Sequence, residues 1–138
     1  MILYAETSAV LAWLLREAAA GDVLTILRQG RLVASSELTR VELGRTLTRL
    51  VADGRLSLSE AAARRSFFEQ RAARWSWIQL SPGILERAQA AFPQEPVRAL
   101  DALHLASALE IASPAARMLS LDVRIRSNAD ALGISALP

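Results

Sequence analysis

The chain opens with the stretch MILYAETS, residues 1–8, in which a short apolar run is followed at once by three polar residues. The apolar run Met1–Ala5 is typical of a buried strand, and the residues Glu6-Thr7-Ser8 carry side chains suited to the start of a helix. We therefore predict a strand that leads directly into a helix, and this unit sets the pattern for the rest of the chain.

Strands and helices continue to alternate along the remaining sequence. Further strands are predicted over Leu32–Ala34, Trp77–Leu80, Met118–Leu121 and Ile134–Leu137, and helices over Ala9–Ala20, Asp22–Arg28, Ser35 to Ala52, Ser57 to Arg74, Pro82–Ala91, Leu100–Ile111 and Val123–Leu132. This alternation predicts an α/β fold, a three-layer domain with a mostly parallel central sheet flanked by helices. The length of 138 residues suits one such domain, residues 1–138.

Composition excludes several classes of protein and site. Hydrophobic residues make up 52% of the chain and charged residues 22%, which excludes a disordered protein. The absence of cysteine excludes disulfide scaffolds, thiolate zinc sites and cysteine catalysis, and it suits a cytoplasmic protein. A single histidine cannot build a multi-histidine site, so any metal would have oxygen ligands. Because Glu6 interrupts the apolar N-terminal run, we expect neither a secretory signal nor a membrane-spanning helix.

Four acidic residues fall where a parallel sheet gathers its loops and helix ends. Glu6 and Asp122 directly follow the first and fourth strands, Asp101 lies in the first turn of its helix, and Glu42 lies one to two turns into another. The carboxyl ends of parallel strands share one edge of the sheet, so we expect these carboxylates to converge. A divalent cation such as Mg²⁺ would relieve their mutual repulsion.

Each of these acids also has a purely structural interpretation. Glu6 and Asp122 are suited to cap the helices that they precede, and Asp101 is suited to complement a helix dipole. Glu42 has arginines one and two turns later on its own helix, with which it can pair. An α/β domain whose carboxylates serve only as caps is therefore an alternative.

The ordered motifs of the chain resemble those of PIN-domain ribonucleases, and most of all the VapC-type toxins of type II toxin–antitoxin systems. The motifs are Tyr4–Ala9, Leu38–Leu43 around Glu42, Leu100–Ala106 around Asp101, and Ser120–Asp122. The resemblance extends from Met1 to Gly133. The run from Asp101 to Ala106 is its most specific part, and the order of the whole set adds to that specificity.

The resemblance implies an endoribonuclease that hydrolyses RNA phosphodiester bonds with Mg²⁺ or Mn²⁺ and acts as the toxin of a toxin–antitoxin pair. It implies Glu6, Glu42, Asp101 and Asp122 as catalytic residues, with Glu6, Asp101 and Asp122 on the metal and Thr7 or Ser8 in support. It also implies a homodimer, and a cognate antitoxin whose tail inserts near the site.

One residue departs from the family pattern, because the first acid is usually Asp and here it is Glu6. The additional methylene would shift the ion, favour Mn²⁺ or weaken catalysis, since Mg²⁺ demands near-ideal octahedral geometry. A catalytically weakened PIN-like module that binds RNA or protein is therefore the second interpretation.

The remaining functional candidates are basic and aromatic. Arg40, Arg98 and Arg124 lie close to the acids in sequence and are candidates for holding RNA phosphates, with ordinary surface arginines as the alternative. His104 lies one helical turn from Asp101, and we expect a core or supporting role for it rather than a general base. The helix around Ala61–Arg74 is interpreted as an antitoxin or dimer surface, or as a solvated outer helix.

Overall fold

The computed structural model describes residues 1–138 and alternates strands with helices as the sequence predicts. The strands are β1 (Ile2–Ala5), β2 (Leu32–Ser36), β3 (Ser76–Ile78), β4 (Ala116–Leu119) and β5 (Ser135–Leu137). The α-helices are α1 (Thr7–Leu14), α2 (Ala20–Gln29), α3 (Glu37–Ala52), α4 (Leu58–Arg71), α5 (Pro82–Gln89), α6 (Ala99–Leu109) and α7 (Val123–Ala131), and a 3₁₀ turn (Ala72–Arg74) follows α4. None of these helices combines the length and hydropathy needed to cross a bilayer.

The five strands form one sheet in the order β3-β2-β1-β4-β5, and every neighbouring pair is parallel. This confirms the predicted fold class. The register pairs Ala5 of β1 with Leu119 of β4, so that Glu6 and Ser120 leave the sheet side by side. The amide of Glu6 donates to the carbonyl of Leu119 at 2.9 Å, which extends this pairing by one residue.

Side chains alternate across the central strand and divide the core into two clusters. Leu3 and Ala5 pack with Trp13, Leu43 and Phe68 under the helices α1 to α4. Tyr4 points to the opposite face of the sheet, where the second cluster packs under α5, α6 and α7; it includes Met118, Leu105 and Ile125. The sheet is therefore covered on both faces, as an all-parallel sheet requires.

The first helix is shorter than the predicted Ala9–Ala20. It ends at Leu14 because Arg16 adopts a left-handed conformation, with φ of 58°. The amide of Glu17 then donates to the carbonyl of Ala12 at 2.9 Å, and that of Arg16 donates to Trp13, which is the hydrogen-bond pattern of a Schellman cap. The prediction missed this end because glycine, the residue that usually adopts the conformation, is absent there.

The helices α1, α3 and α7 all begin at the carboxyl edge of the sheet. Glu6, Ser36 and Asp122 are their N-cap residues, and each side chain accepts a hydrogen bond from a backbone amide of the following turn. Both predicted acidic caps are therefore present. The first turn of α6, which carries Asp101, reaches the same edge, since the charges of Glu6 and Asp122 act on the pKa of Asp101.

Candidate active site

Glu6 is held by two serines at the point where β1 ends. The side chain is 4% exposed. Its Oε1 accepts a hydrogen bond from the amide of Ser8 at 3.1 Å, and its Oε2 accepts one from Ser120 Oγ at 2.8 Å and another from Ser8 Oγ. The longer arm of glutamate thus folds back onto its own helix cap, and both carboxylate oxygens are occupied by donors from the protein.

The two serines also tie the β1 and β4 loops to each other. Ser8 Oγ accepts from the amide of Leu121 at 2.9 Å, and Ser120 Oγ accepts from the amide of Asp122 at 3.1 Å. Ser8 was a predicted supporting residue, and the structure places it on Glu6. We call Glu6, Ser8 and Ser120 the serine clamp.

Glu42 projects from the second turn of α3 towards a histidine. Its Oε1 lies 2.8 Å from His104 Nε2 and 3.2 Å from Thr7 Oγ1. Thr7, the other predicted supporting residue, also contacts Thr39 Oγ1 at 3.1 Å and His104 Nε2 at 3.0 Å. Glu42 forms no ion pair with an arginine of its own helix, so that structural interpretation does not apply.

Asp101 makes no hydrogen bond through its side chain and is crowded by other carboxylates. Burial raises the pKa of Asp101 above its usual range, and the charges of Asp122 and Glu6 raise it further, whereas Arg98 and His104 lower it. Three predicted acids therefore share one electrostatic environment. The carboxyl group of Asp101 is the one that the protein leaves free of local partners.

Asp122 uses one of its two carboxylate oxygens to cap α7. Its Oδ1 accepts from the amides of Arg124 at 2.7 Å and Ile125 at 3.3 Å, which caps α7. No protein donor contacts the second oxygen. The cap interpretation is correct for this residue, and it leaves one oxygen available for another role.

The chemistry of these oxygen donors fits a hard divalent cation, although no three acidic or histidine side chains form a ready-made group around a common point. Mg²⁺ is often held in proteins by one or two carboxylates, with water and substrate phosphate completing its shell. Asp101 and the second oxygen of Asp122 are carboxylate oxygens of this kind without a protein donor. Glu6 adds negative charge nearby, but its own oxygens belong to the serine clamp.

The predicted RNA-binding arginines differ in their surroundings. Arg40 is occupied, because its guanidinium stacks 3.9 Å from the centre of the Trp77 ring and pairs with Glu69 at 3.5 Å. Arg98 and Arg124 are exposed and form no ion pair. Arg98 acts electrostatically on Asp101, and Arg124 lines the same narrow crevice as Asp101 between α6 and α7.

Sequence reasoning missed four polar residues that support the acids. Tyr4 Oη contacts His104 Nδ1 at 2.8 Å, and Ser35 Oγ contacts Thr39 Oγ1 at 2.8 Å and the carbonyl of Ala5 at 2.7 Å. The fourth is Ser120. All four are buried: Tyr4, Ser35, Thr39 and Ser120. Two had a usable signal: Thr39 lies one helical turn before Glu42, and Ser120 lies between a strand and Asp122. Tyr4 and Ser35 had none, since the packing of α6 on the sheet brings His104 to Tyr4, and the pairing of β1 with β2 brings the Ala5 carbonyl to Ser35.

A second concave surface lies away from the acids, between α1, α2 and α4. This apolar groove has a volume of about 550 Å³, is lined by Trp13, Leu24 and Phe67, and carries Arg16 and Arg64. It continues past Trp75 towards Arg28 and Arg71. The helix predicted to be an interaction surface or a solvated outer helix thus forms one wall of this groove.

Comparison with known proteins places the chain in a family. The pattern that defines the PIN domain matches residues 3–131. The chain is 29% identical to Ribonuclease VapC35 of Mycobacterium tuberculosis, in the strains CDC 1551 / Oshkosh and ATCC 25618 / H37Rv, over 99% of this chain and 96% of the relative.

Three solved structures share the fold. VapC20 of Mycobacterium tuberculosis, named a Sarcin-Ricin loop cleaving toxin, superposes with a TM-score of 0.67 at 17% identity over 96% of this chain and 95% of that one. VapBC2 from Rickettsia felis, bound to a DNA fragment from its promoter, gives 0.61 at 15% identity over 99% and 98%. FitAB, bound to an IR36 DNA fragment, gives 0.62 at 18% identity over 99% and 94%. With the profile match covering most of the chain, the protein belongs to the PIN domain family.

Proposed function

We propose that residues 1–138 act as one PIN domain with the activity of a divalent-metal-dependent endoribonuclease, and that this is the toxin of a toxin–antitoxin pair. The observation that carries the proposal is the Asp101 carboxyl at the carboxyl edge of the sheet, whose pKa is raised by burial and then by the charges of Asp122 and Glu6. Carboxylates so placed are costly unless a cation neutralises them. The ribonuclease name of the 29%-identical relative supports RNA as the substrate.

Asp101 and Asp122 would hold Mg²⁺ or Mn²⁺, with Glu6 adding negative charge beside them. A bound divalent cation supplies neutralisation of the carboxylates and polarisation of a phosphoryl oxygen. The second oxygen of Asp122 and the carboxyl of Asp101 have no protein donor, so binding a cation there would break no hydrogen bond of the fold. Glu42 stands apart from this pair, beside His104 and Thr7, where it is suited to orient water or accept a proton.

The exposed guanidinium groups of Arg98 and Arg124 would hold phosphates of the RNA beside Asp101. Both flank Asp101, and neither forms an ion pair within the protein. Arg40 is a weaker candidate, because binding RNA would compete with its stacking on Trp77 and its ion pair with Glu69. Substituting Arg124 is therefore expected to weaken RNA binding more than substituting Arg40.

The test of the enzymatic proposal is cleavage of structured RNA by the purified protein with Mg²⁺, with Mn²⁺ and after addition of a chelator. We expect cleavage only with metal, and a loss of at least about 100-fold in Asp101→Asn. Asp22→Asn is the matched control, because Asp22 is an exposed aspartate at the start of α2. Cleavage that persists in chelator, or that Asp101→Asn leaves intact, would contradict the proposal.

A second candidate function is the RNA- or protein-binding module without catalysis. The observation in its favour is the serine clamp, which occupies both oxygens of Glu6, and the absence of a ready-made group of three metal ligands. RNA binding with no cleavage at any concentration of Mg²⁺ or Mn²⁺ would select this candidate. Recovery of cleavage in Glu6→Asp would show that the longer side chain is the cause.

We further propose that the apolar groove between α1, α2 and α4 receives the antitoxin. Two of the solved neighbours are two-component assemblies by name, VapBC2 and FitAB. The lining is apolar, and its four arginines outnumber its one acid, Glu60, so it suits a segment that combines apolar and acidic side chains; the arginines are Arg16, Arg28, Arg64 and Arg71.

Co-expression with the small protein encoded by a neighbouring gene tests this assignment. Phe67→Glu should abolish co-purification, because it places a charge on the apolar wall of the groove. Leu58→Glu is the matched control, since Leu58 lies on the same helix, is exposed and does not line the groove. Equal co-purification of the two variants would contradict the assignment. Homodimer formation stays a prediction from the family resemblance, and a cytoplasmic location stays a prediction from the absence of cysteine.

A further inference from the structure

His104 lies outside the predicted catalytic set, yet both of its ring nitrogens contact polar side chains of the site. It is the only histidine of the chain and is 1% exposed. Its Nδ1 lies 2.8 Å from Tyr4 Oη, and its Nε2 lies 2.8 Å from Glu42 Oε1. The imidazole therefore spans the distance from the core of the sheet to a carboxylate at the rim of the site.

The chemistry of the partners determines which ring nitrogen carries the proton. A carboxylate oxygen only accepts hydrogen bonds, so the nitrogen beside Glu42 must donate. On the other side, Tyr4 Oη lies 2.8 Å from Nδ1, with the Ser107 hydroxyl and the Ser36 backbone also close to it. Burial raises the pKa of the Tyr4 phenol far above its usual range, so the hydroxyl keeps its proton and can donate it to Nδ1. Both contacts select the same tautomer, with hydrogen on Nε2.

This arrangement fixes the orientation of the Glu42 carboxylate. Its Oε1 is contacted by both His104 Nε2 and Thr7 Oγ1, whereas no protein donor contacts its Oε2. A glutamate whose side chain is 22% exposed would otherwise sample several rotamers. With Oε1 fixed by these two contacts, Oε2 is left without a protein partner and in a defined position.

Resting on the proposed ribonuclease function, we propose that His104 is a positioning residue for Glu42, with its proton fixed on Nε2 by the Tyr4 hydroxyl at Nδ1. His104 does not take part as a general base, because its Nδ1 is directed into the core and its Nε2 is occupied by Glu42 and Thr7. It acts by orienting the carboxylate that touches the reacting groups.

The test pairs two amide substitutions that place a donor at different ring positions. The amide nitrogen of glutamine falls near Nε2 and that of asparagine near Nδ1. We expect His104→Gln to keep RNA cleavage within about tenfold of wild type and His104→Asn to lose about 100-fold, since an orienting contact is worth a loss of that size. The loss should appear in kcat rather than in KM. Equal losses in the two variants would overturn the proposal.

A second measurement needs no activity and uses the metal-free wild-type protein. A long-range ¹H–¹⁵N correlation spectrum of ¹⁵N-histidine-labelled protein contains one imidazole, because the chain has one histidine. At pH 8.5 we expect the proton on Nε2 and none on Nδ1. A proton on Nδ1 would overturn the proposal even if the enzyme is active. The expected spectrum from a protein that fails to cut RNA would reject the proposed function and leave the tautomer assignment standing.

Discussion

Removing the hydroxyl of Ser120 should destabilise the protein through the serine clamp. Ser120 is fully buried, and its Oγ donates to Glu6 Oε2 at 2.8 Å while it accepts from the amide of Asp122 at 3.1 Å. Ser120→Ala removes a hydrogen bond to a buried carboxylate and leaves a backbone amide without its partner. Such a bond to a charged group contributes about 1.5–3 kcal/mol.

The expected loss lies near the middle of that range, at about 2 kcal/mol. Ser8 keeps its own bond to Glu6 in the variant, so the carboxylate is not left wholly unpaired. For a chain of this length, that loss corresponds to a decrease in Tm of roughly 6–8 °C. Urea denaturation followed by tryptophan fluorescence measures the free energy of unfolding directly, and thermal denaturation provides an independent check.

Ser107→Ala is the matched control for this experiment. Ser107 is also a fully buried serine, but its hydroxyl lies beside the Tyr4 phenol without a hydrogen bond of normal geometry. Because the variant removes an unsatisfied polar group from a helix interior, we expect its stability to be unchanged or raised by about 0.5 kcal/mol. If Ser120→Ala costs no more than Ser107→Ala, the serine clamp contributes nothing and the account of Glu6 given above is wrong.

Three further perturbations follow from the site. Asp101→Asn should stabilise the metal-free protein by less than about 1 kcal/mol at neutral pH, because solvent screens a partly exposed charge. The gain should begin to decrease as the pH falls through the raised pKa of Asp101 and should vanish below the ordinary pKa of 3.8, since both the folded and the unfolded wild type are then protonated; denaturation at several pH values checks this. Asp122→Ala should cost about 1 kcal/mol through loss of the α7 cap, and Asp122→Asn should keep most of that stability, as circular dichroism melts would show. Arg40→Ala should cost less than about 1 kcal/mol in chemical denaturation, because its stacking on Trp77 and its ion pair lie at the surface.

The sequence was sufficient for the order of the elements and for the sheet edge on which the acids lie. Apolar runs such as Met1–Ala5 identify buried strands, and polar residues directly after them identify the loops at the carboxyl edge. The end of α1 escaped prediction because a Schellman cap formed around Arg16, a residue without the glycine signature of that motif. Local propensity alone favours continuing the helix through the alanines that follow.

The interior of the site was less predictable than its location. Whether Glu6 points to a metal or to its own helix depends on Ser120, whose position opposite Glu6 is set by the pairing of β1 with β4. The contact between His104 and Tyr4 likewise joins residues 100 positions apart. Such contacts depend on strand order and register, which periodicity within a single element does not report.

The central claim is that the carboxylates gathered at the carboxyl edge of the sheet hold a divalent cation. Electron paramagnetic resonance of Mn²⁺ added to the metal-free protein measures this binding without any substrate. We expect a bound-Mn²⁺ signal in the wild type and in Asp22→Asn, with Mg²⁺ competing for the site, and its loss in Asp101→Asn. Equal Mn²⁺ binding by Asp101→Asn and the wild type, or no binding by either, would contradict the claim.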